Sequence, residues 1–489
     1  MMKIKKASKL AKLSAVALLL STSIVVAQEA PASTTETAPV AAPEAPVPAP
    51  AQVVAPAPAP APVVVAVAEA APAKPAETVS ATVAGTKISL YGRLELNTAY
   101  ETDVTNGLWS ANAPSGAKGD AQGRTSLSIA RTRLGFNLEG PSKDDEPSLK
   151  GRFEADFAGN SSYSNFNGTS GSNSGFRIRQ SYGSVSFKDL GLTLLFGQTD
   201  DVVTPLDPPS VNPSSYNGAG NIGNRRPQIR VTEAIGPVEV AVAATHDRTY
   251  GYTARIDKDK ADPDRAAIKG SDGSDSIPAY KGTDKAVTDA DAPTIPAFQG
   301  RVGVKLPASW AGEKASLVLG LGGLFAKNEV ANLDDKNRYA SPEPSYMFGA
   351  DLSLPIIDIL TLTGEFFTGQ NLSRYGDGSL GQKRAYSDDG GIKSIGWWGG
   401  LAAKLPASLS AGAGVGAESL DDKSKSNGNA ESNMFIFANL AYNFTSAAKA
   451  TFEYVNFSTD YSVFKNGKYD SSDNRSLNRF ELNFRYDFK

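Results

Sequence analysis

The sequence predicts an all-β protein: a 16-stranded antiparallel transmembrane β-barrel behind an N-terminal signal peptide and an Ala/Pro-rich disordered spacer. Three observations carry that expectation. Apolar and polar residues alternate with period two in segments of about ten residues, as in strands whose two faces meet different surroundings. Sixteen such segments follow Gly85, an even number. Their connections alternate strictly between short and long, which fits turns on one side of a membrane and loops on the other. A soluble sandwich has no reason to sort its connections in this way.

Residues 1–27 read as a signal peptide. Lys3, Lys5, Lys6, Lys9 and Lys12 precede an apolar stretch from Leu13 to Val26, and Val25-Val26-Ala27 offers small residues for cleavage before Gln28. The stretch falls short of the roughly 20 apolar residues that a spanning helix needs. Residues 28–84 form a spacer of Ala, Pro and Val, with APAPAPAPVVV at 55–65. Frequent proline denies helix and sheet their hydrogen bonds and favours extended polyproline II at about 3.1 Å per residue. The spacer is expected to lie in the periplasm, either reaching the peptidoglycan wall or acting as a plain tether. Residues 85–489 are expected to form the barrel.

Composition removes several function classes. The chain has no Cys and one His, His246, so disulfides, thiol nucleophiles, multi-histidine metal sites and a Ser-His-Asp arrangement are not expected. No enzyme activity, metal or cofactor is expected. Loss of the signal removes five Lys, leaving 44 basic against 52 acidic residues, a balance of −8. Nucleic acid is therefore a poor partner.

The first segment, KISLYGRLELNTAYE (87–101), sets Ile88, Leu90, Leu94 and Leu96 on one face and Arg93 and Glu95 on the other. LKGRFEADFAG (149–159), PVEVAVAAT (237–245), FQGRVGVKLP (298–307), SYMFGADLSLP (345–355), IGWWGGLAAKLP (395–406) and NMFIFANLAYNF (433–444) repeat the pattern. The remaining segments start near 124, 176, 191, 225, 315, 359, 409, 449 and 475. Long connections are expected near 102–123, 160–175, 199–224, 246–296, 327–344, 369–393, 419–432 and 461–474. KLPAS recurs at 305–309 and 404–408, where its Pro helps to end a strand before a short turn. Tyr100, Tyr346 and Trp397 are expected at the outer interface, and Trp310, Tyr442, Phe444, Tyr486 and Phe488 at the inner one. In the second and fourth segments apolar and basic residues share a parity, as with Leu127, Ile129, Arg131 and Arg133; a bulge would repair it. The final NRFELNFRYDFK (478–489) turns Phe480 to Phe488 toward lipid, closes on the first segment, and leaves Lys489 after the last aromatic.

Sixteen strands enclose more space than their side chains fill, so the inward set is the functional surface. Expected there are Arg93, Glu95, Arg131, Arg133, Arg152, Glu154, Arg177, Arg179, Arg226, Arg230, Arg301, Arg479 and Arg485. The third long connection, TDDVVTPLDPPSVNPSSYNGAGNIGN (199–224), carries Asp200, Asp201, Asp207 and four prolines. Folded inward, it would set an acidic rim opposite an arginine wall and a transverse field between them. The alternative is that these charges only satisfy one another. GAGNIG (218–223) matches a dinucleotide fingerprint but neither follows a buried strand nor opens a helix, and DKDKADPD (257–264) lacks the glycine of a calcium loop.

The runs RTRLGFNLEGP (131–141), LKGRFEADFAG, GFRIRQSYGSV (175–185), LLFGQTDD (194–201) and RRPQIRVTEAIGPVEVAVA (225–243) resemble the DcaP-like trimeric porins of bacterial outer membranes. The resemblance implies a homotrimer of sixteen-stranded channels set in outer-membrane lipid, with the third loop inside. It implies passive diffusion of small anionic or neutral solutes such as dicarboxylates, and makes the arginines at 131, 133, 177, 179, 226 and 230 lumen candidates. The competing role is structural, tethering the envelope to peptidoglycan through residues 28–84.

Overall fold

A strand in hydrocarbon must find a partner for every backbone N–H and C=O along both edges, because no water is there to take their place. The computed structural model meets that demand with a closed sheet. It describes residues 79–103, 123–141, 146–159, 175–246, 295–327, 344–376, 378–382, 391–465 and 468–488, with short strands at 267–269, 275–278, 329–331 and 338–340. The signal peptide, spacer residues 28–78, the acidic segment 257–264 and Lys489 lie outside the described residues.

The barrel strands are β1 (Thr86–Glu101), β2 (Arg124–Ser128 and Arg133–Glu139), β3 (Ser148–Asp156), β4 (Arg177–Phe187), β5 (Leu192–Asp200), β6 (Arg225–Ile235), β7 (Val238–Thr245) and β8 (Ala297–Pro307). They continue as β9 (Ser316–Ala326), β10 (Ser345–Ile357), β11 (Leu360–Gln370), β12 (Lys393–Lys404), β13 (Leu409–Leu420), β14 (Ala430–Asn443), β15 (Ala448–Lys465) and β16 (Lys468–Phe488). Each pairs antiparallel with its neighbours in the chain, and β16 pairs with β1 from Gly92↔Phe488 to Glu101↔Arg479. Below Phe488 the open edge of β1 is taken by a short strand, Ser80–Val83, in the register Ser80↔Ser89.

The two strands with broken alternation are both bulged. Between Asn97↔Ser128 and Arg93↔Arg133, β2 spends four residues where β1 spends three, so Leu127 and Ile129 face out while Arg133 faces in. The Thr132 hydroxyl fills the gap, accepting from Glu95 N and donating to Glu95 O. In β4 the register slips between Glu154↔Gln180 and Ala155↔Ile178, which brings Arg177 and Arg179 to the same side as Tyr182. One expectation fails: residues 461–474 are not a loop. β15 and β16 continue as a hairpin through Val463↔Ser471 to Lys465↔Lys468, the strands flanking Asn466-Gly467, a strong hairpin signal.

Polarity is inverted relative to a soluble protein. Leu94, Leu96, Tyr100, Phe480, Leu482, Phe484 and Tyr486 are exposed on the outside, whereas Arg93, Glu95, Asn97, Glu101, Arg479, Glu481 and Asn483 are buried inside. Exposed aromatics mark the two rims, Tyr100 and Trp397 at the loop end and Trp310, Tyr442, Phe444 and Tyr486 at the turn end.

The closing seam between β1 and β16 is fixed by inward polar pairs. Arg479 meets Glu101 at 2.8 Å with both side chains fully buried, and Glu101 also takes Arg124 at 2.9 Å. Asn97 donates to Glu481 at 3.0 Å, and Asn483 donates to Glu95 at 3.0 Å. A slip of one residue would turn every one of these groups into lipid, so the pairs specify the register of closure. Arg479→Ala strips Glu101 of its closest countercharge, a loss of about 3–5 kcal/mol for a buried pair. The folded barrel should then melt at a clearly lower temperature in detergent. Arg485→Ala breaks only a partly exposed pair with Asp487 within one strand, worth about 0–1 kcal/mol, and should melt near wild type.

Candidate functional site

The inward faces of β1 to β4 carry an arginine wall with too few acids to neutralise it. Glu154 receives Arg179 at 2.8 Å and Arg133 and Arg152 at 3.5 Å, and Asp156 receives Arg177 at 2.7 Å and Arg179 at 2.9 Å. Four guanidiniums thus share two carboxylates, an excess of two positive charges. Tyr91 ties the group together, accepting from Arg152 at 2.6 Å and donating to Glu154 at 3.3 Å. The Arg177 and Arg152 side chains keep 40% and 35% of their surface open. Their charge therefore reaches water.

The third loop (201–224) leaves β5 and lies against the opposite half of the barrel. Its neck is closed on itself: Asp201 N donates to Asn224 O at 2.8 Å, and Asn224 N returns a bond to the Asp201 carboxylate at 2.9 Å. From there Val202 N reaches Gln299 at 2.8 Å and Leu206 N reaches Glu365 at 2.7 Å. The far end is held by Glu453 on β15, which accepts from Ser210 Oγ at 3.1 Å, Val211 N at 2.8 Å, Tyr216 Oη at 3.3 Å and Asn439 at 2.8 Å. Tyr216 is fully buried, stacked on Phe435 with ring centres 4.1 Å apart and packed with Phe437, Phe457 and Trp398.

Small residues in the wall make room for this loop. A Cβ at Gly400 would stand 2.6 Å from Pro209 Cδ, and one at Gly412 would collide with the Pro209 carbonyl. The GAGNIG stretch has the same role: a Cβ at Gly220, whose φ is 110°, would collide with Trp397 O. Its glycines permit close approach to β12 and β13, a packing reason unrelated to phosphate.

The inward charges expected from sequence divide into three groups. Arg133, Arg152, Glu154, Arg177 and Arg179 meet in the wall described above. A second group is paired: Arg93 and Arg131 on Glu95 at 2.8 and 3.3 Å, Arg226 on Asp201 at 2.9 Å, Arg301 on Asp351 at 2.7 Å, and Arg479 on Glu101. Arg479 and Arg226 face inward but are buried, so neither presents its charge to an open lumen. The third group is partly open: Arg485 beside Asp487, and Arg230, which donates to Gln228 at 3.0 Å and to the Asp200 carbonyl.

The three aspartates differ just as much. Asp200 ends β5 and is exposed, accepting from Gln180 at 3.1 Å. Asp201 is buried between Arg226 and Gln299 and does not form a rim. Asp207 alone is an exposed acid of the loop itself, within electrostatic reach of Arg133, Arg179 and Arg225. Its carboxyl is raised above the ordinary carboxylate range by the protein enclosing it, although water reaches it, and further by Asp200.

Below the loop a cavity of about 410 Å³ opens toward the short turns, lined by Pro209 to Val211, Arg131, Lys449, Arg485, Asn439 and Asn483. The inward aromatics that seat the loop are the residues the sequence reading passed over. Their signal was parity: Phe435 and Phe437 share the polar side of β14 with Asn433 and Asn439.

No protein-family model matches this chain, and no curated protein matches it. Among solved structures it is similar to the outer membrane channel DcaP of Acinetobacter baumannii, at 18% identity and a TM-score of 0.58, over 83% of this chain and 99% of that one. The anion-selective porin from Comamonas acidovorans aligns at 14% identity and a TM-score of 0.47, over 82% of this chain and all of that one. OmpF of Salmonella typhi aligns at 9% identity and 0.48, over 84% and 100%. The first of these establishes a shared fold, as the motifs at 131–243 led one to expect.

Glu453→Ala removes the acceptor of three bonds from the third loop, each buried donor left unmet costing about 1–3 kcal/mol. Limited proteolysis of the folded protein should then cut between residues 206 and 219 far faster than in wild type, while the barrel stays heat-stable.

Proposed function

We propose that this chain is an outer-membrane porin, a water-filled channel for passive diffusion of small hydrophilic solutes and ions, narrowed by the third loop. The observation that most supports the reading is the inward face of β2 to β4, where four arginines share two acids and two of them stay open to water; Asp207, exposed on the third loop, lies within electrostatic reach of Arg133 and Arg179. The packed aromatics behind the loop leave the arginine side as the path for water. A field across such an opening orients dipolar solutes and favours anions. The reading includes a bacterial outer-membrane location, a homotrimer and small anionic or neutral solutes, as the resemblance at 131–243 implies.

Purified protein in planar bilayers should insert with conductance steps in groups of three. A membrane that stays sealed at every voltage would overturn the reading.

Selectivity should follow pH through Asp207. A carboxyl held above its ordinary range takes its proton earlier as pH falls. Reversal potentials in a salt gradient should therefore move toward anion preference on acidification, starting at a higher pH than an ordinary aspartate would give. Asp207→Asn should show that preference already at pH 7 and move less on acidification. An equal shift in both proteins would remove Asp207 from the filter.

A further inference from the structure

The third loop is not held by the barrel wall alone. We propose that the sixth loop, between β11 and β12, is a clamp that fixes the neck of the third loop and so sets the width of the aqueous path; this rests on the channel reading above. In its described residues 371–376 and 378–382, two short 3₁₀ turns, Leu372–Arg374 and Ser379–Gly381, pack against the barrel interior.

The clamp is itself well anchored to the wall. Asn371 N donates to Ile392 O at 2.8 Å and Ile392 N donates back to Asn371 Oδ1 at 3.0 Å. Ser379 N donates to Glu418 on β13 at 2.6 Å, its hydroxyl accepts from Leu372 N at 3.0 Å, and Gln382 donates to the Ala430 carbonyl on β14. Bonded in this way, the described residues 371–376 and 378–382 are a packed element of the barrel.

Its other side grips the third loop. Gly223 N donates to Tyr375 O at 3.1 Å. Arg226, whose Nε binds Asp201 at the loop entry, sends its Nη2 to Arg374 O at 2.6 Å and lies 4.2 Å over the Tyr375 ring. One guanidinium thereby joins the start of the third loop, its exit strand and the sixth loop. Leu372 and Tyr375 pack, almost fully buried, with Val203 and Ile222 of the third loop. Gly376, at a φ of 78°, lies so close that a Cβ there would collide with Gly223 O.

Tyr375 and Gly376 are thus positioning residues: they touch the constricting loop, and the solute path lies beyond it. The test uses the full-length protein in planar bilayers. Wild type should hold one steady current level per channel. Tyr375→Ala and Gly376→Ala should lose it, splitting openings into several levels.

Because the chain has no Cys, the pair Ile222→Cys and Gly378→Cys, whose positions meet where Ile222 Cδ1 lies 2.6 Å from the Cβ position of Gly378, can be added to Tyr375→Ala as a cross-link closed by oxidation or by a short bis-thiol-reactive reagent. Oxidation should restore the single level and reduction should abolish it. A Tyr375→Ala channel with the wild-type record would overturn the clamp. Silence from wild type would overturn the channel reading instead. In that case protease cutting between residues 206 and 219 still decides the clamp: faster cutting in Tyr375→Ala supports it, and unchanged cutting rejects it.

Discussion

Backbone hydrogen bonding in hydrocarbon is the constraint on which the rest of this structure depends. An unpaired N–H or C=O there costs several kcal/mol, so the sheet has to close, and closure has to find one register out of many. The seam supplies it. Arg479 on Glu101, Asn97 on Glu481 and Asn483 on Glu95 lock β1 to β16 from the inside, while Phe480 to Tyr486 face lipid. Where β16 ends, Ser80–Val83 takes over the edge of β1. The strict alternation of the last segment is therefore the second half of a lock whose first half lies near residue 95.

Closing sixteen strands creates a new problem, an interior too wide to be filled from the wall. The chain fills half of it with loops. Phe435, Phe437, Phe457 and Trp398 give up the polar parity of their strands to receive Tyr216, and Gly400 and Gly412 make room for Pro209. The other half keeps its charges. There Glu154 and Asp156 hold Arg133, Arg152, Arg177 and Arg179 in place without neutralising them, since fixed like charges need shared counterions to stand side by side. The apolar side anchors the third loop, and the basic side keeps guanidinium surface exposed at Arg152 and Arg177.

How much of this could be read in the sequence follows from what each signal encodes. Strand number, parity and the two bulges were legible, because a face against lipid enforces period two and any break in it demands an extra residue. The fate of individual charges was not. Arg479 and Arg177 have the same parity signal, yet one is fully buried on Glu101 and the other opens 40% of its surface. That difference depends on what lies above each side chain, which only the loop placement decides. Asp201 and Asp207 are six positions apart in one proline-rich loop, yet one is buried in its neck and the other is exposed. The sixth loop was hidden for the same reason: Tyr375 looks like any loop aromatic until Arg226 lies over it. The last hairpin departs from the loop expected at 461–474 because its polar residues carry no period-two signal, whereas beyond the membrane a strand has no need of an apolar face.

In the proposed channel the solute path runs along the arginines, and the side behind the third loop is packed and dry. Single cysteines in a chain that has none of its own test it directly, by the rate at which a small charged thiol reagent labels them in reconstituted protein. Arg152→Cys and Arg177→Cys should react quickly and cut the current, while Phe435→Cys and Val455→Cys should stay protected. Labelling of the second pair as fast as the first would show that water fills both halves, and would contradict the account.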